Sequence, residues 1–249
     1  MTKKILLGLP HYGQVEPEAY FAALTTGHGE YNIMVEPKGT SLLANGFNHL
    51  YCSFLNNKDY EYFAMLHADI YPEGKWLDIL VDELERYHGD VIHAVVAIKD
   101  NRGLTSTAVG DMHNPWEARR LTLAEVRNLP AVFDVDDCQK ALQGPWPSNA
   151  SLLPNTGCLL IKKAKWCYDF PGFTITDRII KSGSQYVPAV ESEDWQLGRW
   201  AARNNVRVIA SRTVRTNHYG RYGFSSNALG NWQKDETFFV RETPTLTLR

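Results

Sequence analysis

The chain predicts an α/β fold: a mainly parallel sheet flanked by helices. The first hundred residues alternate short apolar runs with helical patterns, and such alternation marks βα units feeding a parallel sheet. Several runs, "KILLGLP" and "DVIHAVVAI" among them, are apolar without a break, as strands covered on both faces must be. The run "FAMLHADIYP" ends by presenting His67 and Asp69, and open α/β sheets bind ligands at the carboxyl ends of their strands.

"KILLGLP" is the first strand, closed by Gly and Pro. "EPEAYFAAL" carries early carboxylates before apolar residues at helical spacing, so it is a helix. "YNIMVE" is a second strand. "SLLANGFNHLYCSFLNN" is a helix with Leu42, Phe47, Leu50, Phe54 and Leu55 roughly on one face, interrupted by a glycine. "YEYFAML" is the strand that delivers His67 and Asp69. In "PEGKWLDILVDELERYHG" Trp76, Leu77, Leu80, Val81 and Leu84 form a helical stripe, and Gly89 stands where a C-cap is wanted. "DVIHAVVAI" is the next strand. The second half is less regular. "TLAEVRNLP" sets Glu125 three residues after Thr122, a capping box. "QGPWPSNASLLPNTG" reads as loop, "CLLIKKAKW" as a strand running into a turn or helix, and "SEDWQLGRWAARNN" as a helix capped by Ser192. "VRVIAS" is a further strand, and the tail from Tyr219 reads as loop with short elements.

Bulk properties narrow the partners. Hydrophobic residues make up 44% and charged residues 22%, ordinary for a globular chain that buries a sizeable core. With a net charge of −2 there is no overall basic field to hold nucleic acid or an acidic membrane. Cys52, Cys138, Cys158 and Cys167 include no CxxC pair, so they read as reduced cysteines of a cytoplasmic protein. The N-terminal apolar run is too short for a signal peptide and no stretch reaches the ~20 apolar residues of a membrane span. Asn149-Ala150-Ser151 matches a glycosylation acceptor, and without a secretion signal it reads as plain loop.

Four short motifs can carry chemistry. His67 and Asp69, flanking Ala68, share a direction in an extended chain, and an imidazole beside a carboxylate can hold a divalent cation. "ESEDW" offers Glu193 and Asp194 at a helix start, where a carboxylate can act as general base. "TNHYG" offers His218 after a strand. "NTGC" offers Gly157, at which a ligand can approach the backbone closely. Taken singly, each has a plainer reading: a surface Asp beside a hydrogen-bonded His, helix-dipole partners, a structural histidine, a turn.

Their order is more informative. A strand-end Asp motif, a Gly-containing loop before an apolar strand, Ser-Glu-Asp-Trp opening a helix, then a strand and a histidine: this order resembles the nucleotide-sugar-dependent glycosyltransferases of the GT-A fold, a Rossmann-like α/β fold, particularly their inverting, family-2-like members. The resemblance runs from Lys4 to about Gly220. It implies one domain over 1–249, with a nucleotide-binding half at about 1–115 and an acceptor-side half at about 116–249. "MLHADIYP" looks like the metal- and diphosphate-binding "DxD" segment, with His67 in place of the first acid. Asp69 and His218 would then hold Mn2+ or Mg2+, the histidine as a neutral imidazole. Asp194, with Glu193 the lesser candidate, would be the base. Asn155, Thr156, Gly157 and Trp195 would lie on the acceptor side. Asn48 would face the nucleotide, whose base would sit against Pro10, His11 and Tyr12.

The implied reaction is transfer of a sugar from a nucleoside diphosphate-sugar, a UDP-sugar first, to an acceptor hydroxyl, metal-dependent and with inversion. The acceptor is a saccharide or a modified DNA base. A glycosyltransferase for hydroxymethylated DNA is the nearest rival, with Arg119, Arg120, Arg199, Arg203, Arg212, Arg215 and Arg221 as a phosphate groove. A non-catalytic sugar-nucleotide-binding module is the other, kept open by His67.

Overall fold

The computed structural model describes residues 3–26, 31–220, 222–226 and 239–242. The first half gives β1 (Lys3–His11), α1 (Pro17–Thr25), β2 (Tyr31–Gly39), α2 (Leu43–Asn56), β3 (Tyr60–Leu66), β4 (Ile70–Pro72), α3 (Trp76–Arg86) and β5 (Val91–Ala94). It continues through β6 (Leu104–Asp111), β7 (Ala118–Thr122), α4 (Leu123–Arg127), β8 (Val132–Phe133), α5 (Val135–Ala141), β9 (Ala150–Leu153) and β10 (Cys158–Lys162). After a 3₁₀ turn at Lys165–Tyr168 come β11 (Thr176–Ser182), β12 (Gln185–Glu191), α6 (Glu193–Arg203), β13 (Val208–Ser211), β14 (Thr216–Tyr219), β15 (Tyr222–Ser225) and β16 (Phe239–Glu242). The rest of the tail lies outside the described residues, as does Arg221.

The central sheet has seven strands in the order β2-β1-β3-β10-β5-β13-β8. The α/β class holds, but the sheet is mixed rather than mainly parallel. β1 pairs in parallel with β2 and β3, and β13 with β5, whereas β10 runs antiparallel to both β3 and β5, and β8 to β13. This inversion matters for the site. β1, β3, β5 and β13 all point one way, so the amino end of β10 meets the carboxyl ends of β3 and β5 at a single edge. The sheet also joins the two halves of the chain, because β10 and β13 lie beside strands of the first half.

Both faces of the sheet are buried, as the unbroken apolar runs require. In β3, Phe63 and Met65 enter one core while Tyr62, Ala64 and Leu66 enter the other, and Leu159 and Leu160 of β10 divide the same way. Phe47, Leu50, Tyr51 and Phe54 of α2, with Leu197 and Ala201 of α6, cover the first face. Ala22 and Ala23 of α1 and the Trp76-to-Leu84 stripe of α3 cover the second. Burying a side chain of this size contributes roughly 1.5–3 kcal/mol, which is why these periodic helices form where they do.

Some local expectations change. α3 does not end on Gly89. His88 takes the left-handed position at φ 54°, and the Gly89 amide donates to Leu84 O at 2.9 Å, which completes a Schellman cap with histidine where glycine is usual. Gly89 is instead needed for space: a Cβ there would stand 2.7 Å from Ile209 Cδ1. The capping box at Thr122 and Glu125 forms as expected. Ser192 sits at the N-cap of α6, but its side chain makes no cap bond. The segment read as loop through "SNASLLPN" contains β9, which pairs with β6. β11 and β12 form an outlying hairpin that turns at Gly183, φ 61°.

Candidate functional site

The shared sheet edge carries an open cleft of about 450 Å3, lined by the end of β1 (Pro10, His11, Tyr12), by His67, Ala68 and Asp69, and by Lys99, Tyr219 and Gly220. Tyr12 is 80% exposed, its ring open to solvent. The turn after β3 is fixed by backbone bonds: Ile70 N donates to His67 O at 3.1 Å, Glu16 N to Ala68 O at 2.8 Å and Tyr219 N to Asp69 O at 2.8 Å. The β4–β14 pairing sets His218 opposite Ile70, so the histidine predicted from "TNHYG" stands beside Asp69 although 149 positions separate them in the chain.

At the floor of the cleft two side chains meet on one oxygen of a third. Lys99 Nζ lies 2.5 Å from Asp69 Oδ2, and His218 Nε2 lies 3.4 Å from the same atom. His218 Nδ1 is 2.8 Å from Ala97 O. A carbonyl only accepts, so Nδ1 is the donor, and in the neutral ring the Nε2 lone pair faces the Asp69 carboxylate. In the charged ring Nε2–H donates to that carboxylate instead, and this bond is part of what lowers the Asp69 pKa. Burial alone would raise the Asp69 carboxyl, but His218, Lys99 and His67 outweigh it and hold it well below the usual range. Asp69 and His218 supply two candidate donors at this point, and among the described residues no group of three His, Cys, Asp or Glu side chains converges.

His67 lines the same cleft. Its ring packs on Phe47, centroids 5.1 Å apart, its Nε2 lies 3.2 Å from Thr156 Oγ1, and its amide donates to Gly157 O at 2.9 Å. Burial pushes its pKa down to about 4, so it is neutral at ordinary pH. Asn155 and Thr156 are buried. Asn155 Nδ2 donates to Ala94 O at 2.7 Å, which ties the amino end of β10 to the end of β5. At Gly157 a Cβ would stand 2.3 Å from Ile70 Cδ1. The "NTGC" loop therefore braces the strand ends at the site. Asn48 is likewise occupied: Nδ2 donates to Phe173 O at 2.8 Å and Oδ1 accepts from Phe173 N at 2.7 Å.

The second group lies at the start of α6. The Ser192 hydroxyl donates to Asp194 Oδ1, and the Trp195 amide donates to the same oxygen at 2.8 Å. Burial raises the Asp194 carboxyl, against the opposing pull of the Ser192 hydroxyl, the Trp195 amide and the Arg120 charge. The Trp195 amide at the helix start thus favours the ionised form but is outweighed. Glu193 is buried, and burial, aided by the Asp194 charge, pushes its carboxyl up to about 7. The Arg120 guanidinium stacks 4.6 Å over the Trp195 ring.

Hydrogen bonds connect the two groups. Trp195 Nε1 donates to Ser106 O at 3.3 Å, Ser106 N donates to Val96 O at 2.8 Å, and the neighbouring Ala97 carbonyl holds His218. Lys99 and Arg120 are the residues that sequence reasoning missed or undervalued. The signal for Lys99 was a lysine ending the apolar run "HAVVAIK", which leaves a cation at a strand-end edge. Most of the other arginines offered as a phosphate groove are engaged elsewhere. Arg199 is buried against Glu191 at 2.5 Å, Arg119 pairs with Glu125 at 2.6 Å, Arg203 donates to Met112 O at 2.6 Å, and Arg212 to Leu129 O at 3.0 Å.

No family model matches the chain, and no curated protein matches it. Among solved structures it is similar to A197 from STIV, at a TM-score of 0.53 and 17% identity, covering 97% of this chain and 99% of that one. At that identity the likeness concerns the fold. S. aureus TarS 1–349 in complex with UDP aligns at a TM-score of 0.41 and 10% identity, over 83% of this chain and 57% of that one. The TarS complex with UDP-GlcNAc aligns at 0.37 and 10%, over 83% and 55%. No helix among the described residues is long and apolar enough to cross a membrane.

Proposed function

We propose that the chain is a glycosyltransferase that moves a sugar from a nucleoside diphosphate-sugar, a UDP-sugar first, to an acceptor hydroxyl. The supporting observation is the Lys99–Asp69–His218 meeting point at the floor of the strand-end cleft, joined through Ser106 to Trp195, the neighbour of the carboxylates that open α6. The nucleotide base lies against Pro10, His11 and Tyr12, with the Tyr12 ring as its stacking face. The diphosphate lies over Asp69. Mn2+ or Mg2+, held by Asp69 and His218, would supply positive charge where the leaving diphosphate gains its negative charge.

Asp194 takes the proton of the acceptor hydroxyl. The hydroxyl oxygen bonds to the anomeric carbon from the face opposite the diphosphate, the bond from that carbon to the phosphate oxygen breaks, and its electrons leave with the diphosphate. Configuration therefore inverts. Ser192 and the Trp195 amide hold the carboxylate in place, and Arg120 over Trp195 borders the acceptor side. Direct titration of UDP, UDP-glucose and UDP-GlcNAc with and without Mn2+, followed by product analysis with saccharide and hydroxymethylated DNA acceptors, tests this reading. Binding that requires Asp69, with inverted product, is the expected result, and no binding of any nucleotide would sink it. One observation favours a second reading, a non-catalytic sugar-nucleotide-binding module: His67 stands where an acid is usual and Lys99 already neutralises Asp69. Binding without turnover, with Asp194→Asn indistinguishable from the parent, would select it.

A further inference from the structure

We propose that Lys99 is the resident cation of the diphosphate site, so that a divalent metal ion gains Asp69 only when a diphosphate draws the ammonium away. The inference rests on the reading of the cleft as a diphosphate site. Lys99 Nζ lies 2.5 Å from Asp69 Oδ2. That oxygen also faces His218 Nε2 at 3.4 Å, so the ammonium contacts the very atom a metal ion would need. An ammonium and a divalent ion on one carboxylate oxygen repel each other, so each weakens the hold of the other on Asp69.

The lysine is built into the place. Its backbone segment is held by Ile98 N to Leu104 O at 3.0 Å and by Asp100 N to Ile98 O at 2.9 Å. Its stem lies against Gly220: a Cβ there would stand 2.9 Å from Lys99 Cδ, so the glycine after His218 leaves the lysine its room. The head is free to move. The side chain is 38% exposed, it lines the cleft, and an ammonium on a four-carbon stem is a rotatable point charge. A diphosphate in the cleft offers it more negative charge than the single Asp69 carboxylate. Lys99 then follows the phosphates, and Asp69 and His218 open to the metal ion. Donor and metal bind with positive coupling, each raising the affinity of the other by the same factor.

The test uses the full chain and Mn2+ alone, read by the paramagnetic resonance of free Mn2+, for the parent, Lys99→Met and Lys99→Met with Asp69→Asn. Lys99→Met should bind Mn2+ at least about tenfold more tightly than the parent, the scale of a coupling of ~1.4 kcal/mol, and the added Asp69→Asn should abolish the gain. Pyrophosphate in EDTA should bind Lys99→Met more weakly than the parent. Equal Mn2+ affinity in parent and Lys99→Met overturns the proposal, as does a gain that survives Asp69→Asn or an absence of Mn2+ binding to both. UDP run beside these arms separates the two claims. A Mn2+ gain with no UDP binding to any variant removes the glycosyltransferase reading and leaves the competition standing; UDP binding with unchanged Mn2+ affinity does the reverse.

Discussion

Asp69 and Asp194 are both aspartates in the first residues after a strand, yet their surroundings treat them oppositely. At Asp69 a lysine and a histidine meet one carboxylate oxygen, and the acid is held far on the ionised side. At Asp194 a serine hydroxyl and a backbone amide meet the carboxylate; burial wins, and the acid is raised. The difference teaches what each can do. A carboxylate that almost never protonates is fit to hold a cation, whereas one whose pKa is raised is the better proton acceptor. Trp195 and Ser106 link the two stations, and charge pairing at one against burial at the other divides the tasks between them.

The sharpest way to break this comparison is Asp194→Asn, which keeps the shape and removes the base. Turnover should fall by about 10²–10⁴, the usual worth of a general base, while donor affinity measured by calorimetry stays as in the parent. Glu193→Gln should cost less; if it proves the inactive variant and Asp194→Asn stays active, the proton acceptor has been assigned to the wrong neighbour. The next effect is on the fold under the Asp194 station. Arg199 and Glu191 form a buried pair at 2.5 Å, with Arg199 also donating to Asp111 O at 2.8 Å. Glu191→Ala strands the guanidinium and should cost about 3–5 kcal/mol in urea unfolding; a loss under 1 kcal/mol would show that water reaches the pair.

The pH profile sharpens the comparison. A base must be ionised, and Asp194 is raised, so turnover is full above its pKa and is lost as pH falls through it. Glu193, at about 7, is coupled to Asp194 through their mutual charge and broadens the same acid limb. Asp69, held low, stays ionised across that window, so nucleotide affinity measured in EDTA, where no metal ligand can titrate, should remain level while turnover drops. Affinity and turnover falling together would remove the contrast between the stations. The smallest effect is expected from Ser192→Ala. Losing the hydroxyl removes a bond that favours ionised Asp194, so the acid limb moves to higher pH while the plateau rate is nearly kept. An unmoved limb would take Ser192 out of the site.

The strands were readable because continuous apolar runs at β1, β3 and β10 leave no face for water, and α2, α3 and α6 were readable because their apolar residues recur at helical spacing. The hairpin β11–β12 was not readable, being mostly exposed, with Pro188 inside it. β9 was hidden in a stretch rich in Pro, Gly and Asn, since pairing with β6, not propensity, makes it a strand. The motifs at Asp69, Asp194 and His218 were visible as residue types at element ends. Their partners were not: Lys99 lies 30 positions from Asp69, and Arg120 is 75 positions from Trp195.

By itself the sequence determined the α/β class, the two-faced burial of the strands and the presence of acids and a histidine at strand and helix ends, because period and composition are local properties. Only the tertiary structure decided that β10 runs against its neighbours, since an apolar run carries no direction. That reversal brings Asn155 to Gly157 against His67 and Ala94. The β4–β14 register then sets His218 beside Asp69, and the turn after β5 lays Lys99 on the same oxygen. Electrostatics acts over a few ångströms in space, and the distance along the chain does not fix that separation.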